Sequence, residues 1–229
     1  MKHFQLEQVA DDAWAAIALR GSGGNAGFIR VGDSSIVFDT LASTAAADEL
    51  RSSAEAIAPV AYVVNSHWHA DHVNGNASFD DVAIVATERT RELIEERTAG
   101  ETDVVFPTEL FEERLERDGA LIETLGGGHS ESDAFLWFED TVFTGDLVVV
   151  ESHPWVGDGD VEHWLEILDA FEARRPRVIV PGHGPIGSVE DIPPLRRYLE
   201  GLLDGTATAV EGWGDAEGHD RNVAALRGL

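Results

Sequence analysis

Cysteine is absent from the chain, and lysine occurs once, as Lys2. Without cysteine there can be no disulfide, no thiolate metal ligand and no cysteine nucleophile. A G-x-S-x-G elbow is also missing, so the side-chain nucleophile of that serine arrangement is not on offer. No stretch reaches the about 18 consecutive apolar residues that a membrane-spanning helix requires. The opening "MKHFQLEQVADD" has neither a basic n-region nor an apolar h-region, so no secretory signal is expected and a cytoplasmic location is.

Positive charge is scarce. Lys and Arg total 16 against 43 Asp and Glu, and the formal net charge is -27 at pH 7. Such a surface repels phosphate backbones and anionic lipid, so neither nucleic acid nor a membrane is expected as a partner; a small-molecule substrate is. The acidic, Ala- and Val-rich, almost lysine-free composition resembles that of proteins from salt-in halophilic archaea. An acidic mesophilic protein is the plainer alternative.

Hydrophobic residues make up 43% of 229 residues, enough for one sizeable core. The expectation is a single domain over 1–229. Short segments rich in β-branched and aromatic residues read as strands: "FQLEQVA", "AWAAIALR", "AGFIRVG", "SSIVFDT", "AYVVNS" and "VAIVAT", with "SGGN" at 22–25 as a turn cluster. Residues 43–58 read as a helix capped by Ser43 or Thr44, and "ERTRELIEERT" as another. The second half repeats the theme, with strands in "TELFEERLE", "GALIETLGG", "DAFLWFED", "TVFTGDLVVV" and "RVIVPGH", and helices over 160–175 and 193–203. Two similar halves, each a sheet with helices on one face, predict an α/β sandwich of helix, sheet, sheet and helix.

The stretch "NSHWHADHVNG" carries the chemistry. It follows an apolar strand and places His67, His69, Asp71 and His72 within six positions. Side chains two apart on extended backbone share a side, so His67 and His69 can reach one point. Asp71 and His72 are adjacent and diverge, which suits two neighbouring metals better than one. Imidazole and carboxylate donors without thiolate suit Zn, Mn or Fe. Three further candidates stand where a strand runs into a glycine-bearing turn: His129 in "LGGGHSESD", Asp146 in "VFTGDLVV" and His183 in "RVIVPGHGP".

In order, these residues match HxHxDH, a later His, an Asp and a final His. The chain thus resembles the metallo-β-lactamase fold superfamily over about 25–187. The resemblance implies a four-layer αββα sandwich of two mixed sheets. It implies that His67, His69 and His129 hold one zinc, that Asp71, His72 and His183 hold a second, and that Asp146 bridges them. It also implies that Asp71 orients a hydroxide held between the ions. Asp39, ending "IVFDT", stands where the family often has an outer carboxylate that holds a ligand histidine; a turn cap is the alternative. His153 and Trp155 fall where the family's pocket loop lies. His3, His163 and His219 are expected to be solvated.

Departures from the pattern narrow the activity. The commonest zinc β-lactamases have Cys where this chain has Asp146, flavodiiron proteins have Glu at His69, and glyoxalase II adds a basic helical domain. Acyl homoserine lactonases share the ligands but have a pocket tyrosine without an evident match here. "HPWVGDGDVEHWLEIL" is similar to the glyoxalase-II-like or SoxH-like branch. The expectation is a dinuclear zinc hydrolase of a small ester, thioester or lactone, with Fe or Mn as substitutes. The alternatives are a mononuclear iron persulfide dioxygenase using His67, His69, His129 and Asp146, β-lactamase-type amide hydrolysis, and an idle metal-binding protein.

The charge excess makes its own prediction. Molar salt shortens the Debye length to about 3 Å and relieves carboxylate crowding, while excluded salts strengthen apolar burial. Thermal melts across KCl concentrations are expected to show Tm rising substantially into the molar range. A flat or falling Tm removes the halophilic reading.

Overall fold

The structure, a computed structural model, describes residues 2–19, 23–102, 104–215 and 217–227. Arg20 and Ser22, at the ends of two segments read above, lie outside the described residues. The chain opens with an antiparallel meander, β1 (Phe4–Ala10), β2 (Ala13–Ala18), β3 (Ala26–Val31) and β4 (Ser34–Phe38). Helix α1 (Thr44–Glu55) then carries it back to β5 (Val60–Val64), which pairs parallel with β4. Ser43 is the N-cap of α1; its hydroxyl accepts from the Ala46 N–H, satisfying one orphan donor of the first turn.

After β5 come a one-turn helix α2 (Ala70–Val73), a 3-10 turn (Asn76–Phe79), β6 (Ala83–Thr87), α3 (Glu88–Arg97) and β7 (Glu109–Phe111). β5, β6 and β7 continue the parallel half of a 7-stranded sheet in the order β1-β2-β3-β4-β5-β6-β7. The second sheet is 5-stranded in the order β12-β11-β10-β9-β8. Its strands are β8 (Arg114–Arg117), β9 (Ala120–Thr124), β10 (Ala134–Phe138), β11 (Thr141–Val149) and β12 (Val178–His183). Helix α4 (Val161–Arg174) makes the crossover that lets β11 and β12 run parallel, and α5 (Ile192–Asp204) and α6 (Gly218–Leu226) follow.

Strand alternation explains the layers. On β10, Ala134 and Leu136 point one way and Phe135 and Trp137 the other. The first pair joins Ile36, Phe38, Tyr62, Val64, Phe143 and Val180 in the core between the sheets. The second joins Trp164, Ile167, Leu168 and Phe171 of α4 and Leu195 and Leu199 of α5. On the outer face of the larger sheet, Val37, Val63 and Phe28 pack against Ala46, Ala47, Leu50 and Ala54 of α1. Two mixed sheets packed face to face and flanked by helices are therefore the architecture, as the sequence predicts. No helix among the described residues is long and apolar enough to cross a membrane.

Local expectations need correction. "TELFEERLE" is not one strand: it breaks at 112–113 into β7 and β8, which belong to different sheets. The halves are unequal, with 7 strands against 5. "AYVVNS" stops being strand at Val64, because the following residues turn into the site. Helices α2 and α6 were not anticipated.

The inter-sheet core predicts a stability effect. Phe143 is fully buried there, with its ring centroid 5.8 Å from that of Phe38. Phe143→Ala is expected to cost about 3–5 kcal/mol of unfolding free energy in chemical denaturation. A loss under about 1 kcal/mol shows that the sheets do not pack through this ring.

Candidate metal centre

Parallel strands deliver their C-terminal ends to a common edge, and that edge is where sites form in open sheets. Here both sheets contribute. Asp39 follows β4, and His67, His69, Asp71 and His72 follow β5 through the start of α2. His129 stands in the β9–β10 loop, Asp146 within β11 and His183 at the end of β12. The sheets are stitched at this edge by backbone hydrogen bonds from Ala134 N–H to Ser66 O, 2.8 Å, and from Asn25 N–H to Gly182 O, 2.7 Å.

All seven predicted metal-ligating residues come together, in two groups. His67, His69, His129 and Asp146 form one, and Asp71, His72 and His183 the other, with donor atoms within 4.8 Å of one another inside each group. His69 Nδ1 lies 2.9 Å from His129 Nε2. Asp146 touches both groups: one carboxylate oxygen is 3.3 Å from His129 Nε2 and 3.3 Å from His183 Nε2, and the other is 3.2 Å from His72 Nε2. Asp71 is 3.3 Å from His183 Nε2 and 3.8 Å from His72 Nε2.

The outer ring nitrogens of His67, His69, His72 and His129 are held. His72 Nδ1 is 2.8 Å from Asp39, whose carboxylate also accepts from the Ser66 N–H and hydroxyl, both at 2.7 Å. The Ser66 hydroxyl in turn lies 2.9 Å from His67 Nδ1. His129 Nδ1 donates to the Trp155 carbonyl at 3.1 Å, and His69 Nε2 donates to Asp158 at 3.2 Å. A carbonyl and a carboxylate oxygen accept, so these bonds call for a proton on the outer nitrogen of each ring, and in the neutral rings the inner nitrogens then carry none. Two lone pairs then face each other across 2.9 Å. That repulsion is relieved by a cation between them. His67 Nε2, His72 Nε2 and one Asp146 oxygen are also buried without a hydrogen bond of acceptable geometry. Orphaned donors of this kind, all imidazole or carboxylate, fit a divalent metal.

The electrostatics of the two groups differ. Burial, followed by the positive field of His72, holds His67 well below the usual imidazole range. Burial likewise brings His69 down to about 4, with His129 adding to it. For His183 burial acts downward, but Asp146 outweighs it and lifts the ring to about 10. His72 is raised well above its usual value in spite of burial, by Asp146, Asp71 and Asp39. Asp146 and Asp71 are held below the usual carboxylate range against their desolvation, Asp146 chiefly by His183 and Asp71 chiefly by His72.

Other predicted residues fall elsewhere. Trp155 is exposed; its carbonyl meets His129 Nδ1, and its indole N–H donates to Asp158 at 2.7 Å. His153 does not join the centre. Both its ring nitrogens are taken by the C-terminal segment, through Gly214 O and the Val210 N–H at 3.0 Å each, and it packs against Tyr198, Trp213 and His219. The strand β11 ends before it, so nearness in sequence to Asp146 does not aim it inward. His3, His163 and His219 are part-buried rather than freely solvated, bonded to Glu49, to Leu125 O and Glu166, and to the Tyr198 hydroxyl.

Three contributors went unread in the sequence. Ser66 links Asp39 to His67. Asn25, only 4% exposed, donates to Pro181 O and Gly184 O and so holds the turn that carries His183. Asp158 holds His69. Only the "SGGN" turn cluster at 22–25 hinted at Asn25.

The chain matches the family described as the metallo-beta-lactamase superfamily over residues 19–183. A metallo-beta-lactamase type 2 from Bacteroides fragilis is 27% identical over 161 residues, covering 66% of this chain and 64% of its own. A beta-lactamase-like protein 2 homolog from Caenorhabditis elegans is 24% identical over 134 residues, 56% of this chain and 43% of that one. The chain thus spans less than two thirds of these curated relatives. Among solved structures, a metallo beta lactamase from Hirschia baltica superposes with a TM-score of 0.76 at 20% identity, covering 86% of this chain and 98% of the other. One from Pontibacter korlensis superposes with a TM-score of 0.73 at 20% identity, covering 86% and 99%. At such identities the likeness is one of fold.

Close backbone approach makes the centre sensitive at glycine. A Cβ on Gly182 falls 1.9 Å from a carboxylate oxygen of Asp146. Gly182→Ala is expected to destabilise the metal-free protein by about 1–3 kcal/mol through this overlap, read as a lowered unfolding midpoint. The same Cβ falls 2.6 Å from the Gly145 carbonyl carbon and 2.7 Å from the Asp146 backbone nitrogen, so an unchanged midpoint shows that both the carboxylate and this stretch of backbone give way.

Proposed function

We infer, since the chain belongs to the metallo-beta-lactamase superfamily, that it is a metal-dependent hydrolase holding two zinc ions and cleaving a small ester, thioester or lactone. The carrying observation is the Asp146 carboxylate, whose two oxygens face His129, His72 and His183 at 3.2 to 3.3 Å. A carboxylate so placed serves both groups at once. His67, His69 and His129 are the residues to hold one ion, and Asp71, His72 and His183 the other. Bound divalent metal supplies Lewis acidity, polarising a substrate oxygen and bringing the pKa of water towards neutrality.

The chain's own residues do the rest. Asp71, part-buried and kept ionised, is positioned to orient the attacking water and to take up its proton for the leaving atom. In the reaction water adds to the acyl carbon, the bond to the leaving oxygen or sulfur breaks, and the proton goes to that atom. Asp39 and Asp158 hold His72 and His69 by their outer nitrogens, so the rings need no reorganisation. The protons that Asp146 stabilises on His72 and His183 are those a divalent cation displaces, which couples loading to pH.

Amide cleavage in a β-lactam ring is the second reading, favoured by the names of the relatives. Against it stands Asp146, where the commonest zinc β-lactamases carry cysteine. An iron dioxygenase needs only the first group, and the complete second group speaks against it.

The test is elemental analysis of protein purified in high salt, followed by a panel of esters, thioesters, lactones and a β-lactam with and without chelator. About two zinc ions per chain and chelator-sensitive acyl cleavage are expected. Asp146→Ala is expected to lower kcat/KM by more than the roughly 10–100-fold typical of losing an outer partner of a ligand. One iron, no zinc and oxygen consumption overturn the reading.

A further inference from the structure

Beyond residues 19–183, which match the family, the chain runs back to the loop between β11 and α4. The C-terminal segment bonds to four consecutive positions there. The Gly214 N–H donates to Glu151 O at 2.7 Å, Ser152 and Gly214 form an isolated parallel bridge, the His153 N–H donates to Gly214 O at 3.2 Å, and the Asn222 amide donates to Pro154 O at 2.6 Å. Glu151 sits in the left-handed region, with φ of 50°, so this stretch of loop is held under strain. The next residue, Trp155, is the one whose carbonyl meets His129 Nδ1.

The His153 ring lies at the middle of this contact and is only 5% exposed. The Val210 N–H donates to its Nε2, and its Nδ1 faces Gly214 O, each at 3.0 Å. A backbone N–H donates and a carbonyl accepts, so Nε2 must keep its lone pair and Nδ1 its proton. Only the neutral ring satisfies both partners. A second proton sets one donor against another and leaves a buried charge.

Nothing around the ring answers that charge. Among the described residues no carboxylate pairs with His153. Tyr198 of α5 and His219 of α6, which pack against it, bond to each other. Burial holds the Tyr198 phenol above its usual value, Asn222 opposing and the charges of Asp215 and Asp220 adding to it, so it offers no anion. Asp215 is paired with Arg221, and Glu151 on the loop itself is exposed.

We propose that the C-terminal segment is an acid-releasable strap: neutral His153 latches it onto the loop that supports the metal ligands, and protonating that ring lets strap and loop come apart. The latch stands apart from the hydrolase reading; only its bearing on His129 depends on that reading. Plain apolar packing of the segment is the competing explanation. It accounts for Ala207, Val210, Trp213 and Val223 against the residues of α4 and α5. It does not account for a buried imidazole whose two nitrogens serve that one segment as acceptor and donor.

The experiment is hydrogen exchange read by mass spectrometry on the full chain, at pH 7.5 and 5.0, corrected for the intrinsic pH dependence of exchange. Histidine changes its charge across this window. Peptides spanning 205–226 and 150–158 report the strap and the loop, and peptides over α1 (Thr44–Glu55) report the rest of the fold. The parent is expected to lose protection in strap and loop on the order of 10–30-fold at pH 5.0, with α1 unchanged. His153→Gln carries no titrating group and is expected to show no pH response. His219→Ala removes the other imidazole of the cluster and is expected to respond like the parent. The same protection at both pH values in the parent overturns the proposal, as does an equal loss in α1. A parent-like response in His153→Gln, or no response in His219→Ala, overturns the assignment of the latch to His153.

Discussion

The Asp39 carboxylate is fully buried where β4 runs out, and an unpartnered charge in that position costs several kcal/mol. It is retained because every direction it faces is answered. It accepts from the backbone and hydroxyl of Ser66 and from the ring of His72, and through the Ser66 hydroxyl it reaches His67. Burial pushes its pKa up, and the charge of His72 pulls against that. The end of β4, the turn after β5 and the start of α2 are thereby bound into one unit. The backbone carries strain to achieve this: Asp39 and Leu41 have φ of 60° and 67°, in the left-handed region, at a cost of roughly 1–3 kcal/mol each. Hydrogen bonds from Asp39 N–H to Val64 O and from Thr40 N–H to His72 O hold that conformation.

Around this tie the two halves of the centre differ in kind. His67 and His69 are driven towards their neutral, lone-pair-bearing forms by burial. His72 and His183 are driven towards their charged forms by Asp71 and Asp146. One half is a set of poised neutral donors and the other a set of compensated ion pairs, although both use the same residue types. The difference lies in where the carboxylates stand.

The ligand set was legible in the sequence because metal chemistry uses few residue types and places them where strands end. The layers were legible because alternation such as that of β10 declares two buried faces. What was not legible depends on contacts far apart in the chain. Asp158 meets His69 across 89 positions, and Asn25 meets Pro181 across 156, and no local pattern announces either. The break at 112–113 carries no glycine or proline, so "TELFEERLE" reads as one strand although its halves pair with different sheets. His153 was misplaced for the opposite reason. Its closeness in sequence to Asp146 was informative about the loop but not about direction, and the C-terminal segment claims the ring instead.

That same break has a mechanical consequence. Phe111 ends a strand of the larger sheet and Arg114 begins one of the smaller, so only 112–113 separate the two. From Phe111 to Arg114 the chain spans at most about 11 Å, too little for one sheet to slide far past the other at that point. The sheets are also clasped through Ser66 and Asn25, which bond across to Ala134 and to Gly182. The sheets therefore act as the two jaws of a fixed-gap caliper. The spacing between Asp146 on β11 and His183 on β12, carried by one jaw, and the ligands that follow β5, carried by the other, is thereby tied to the packing of the two sheets.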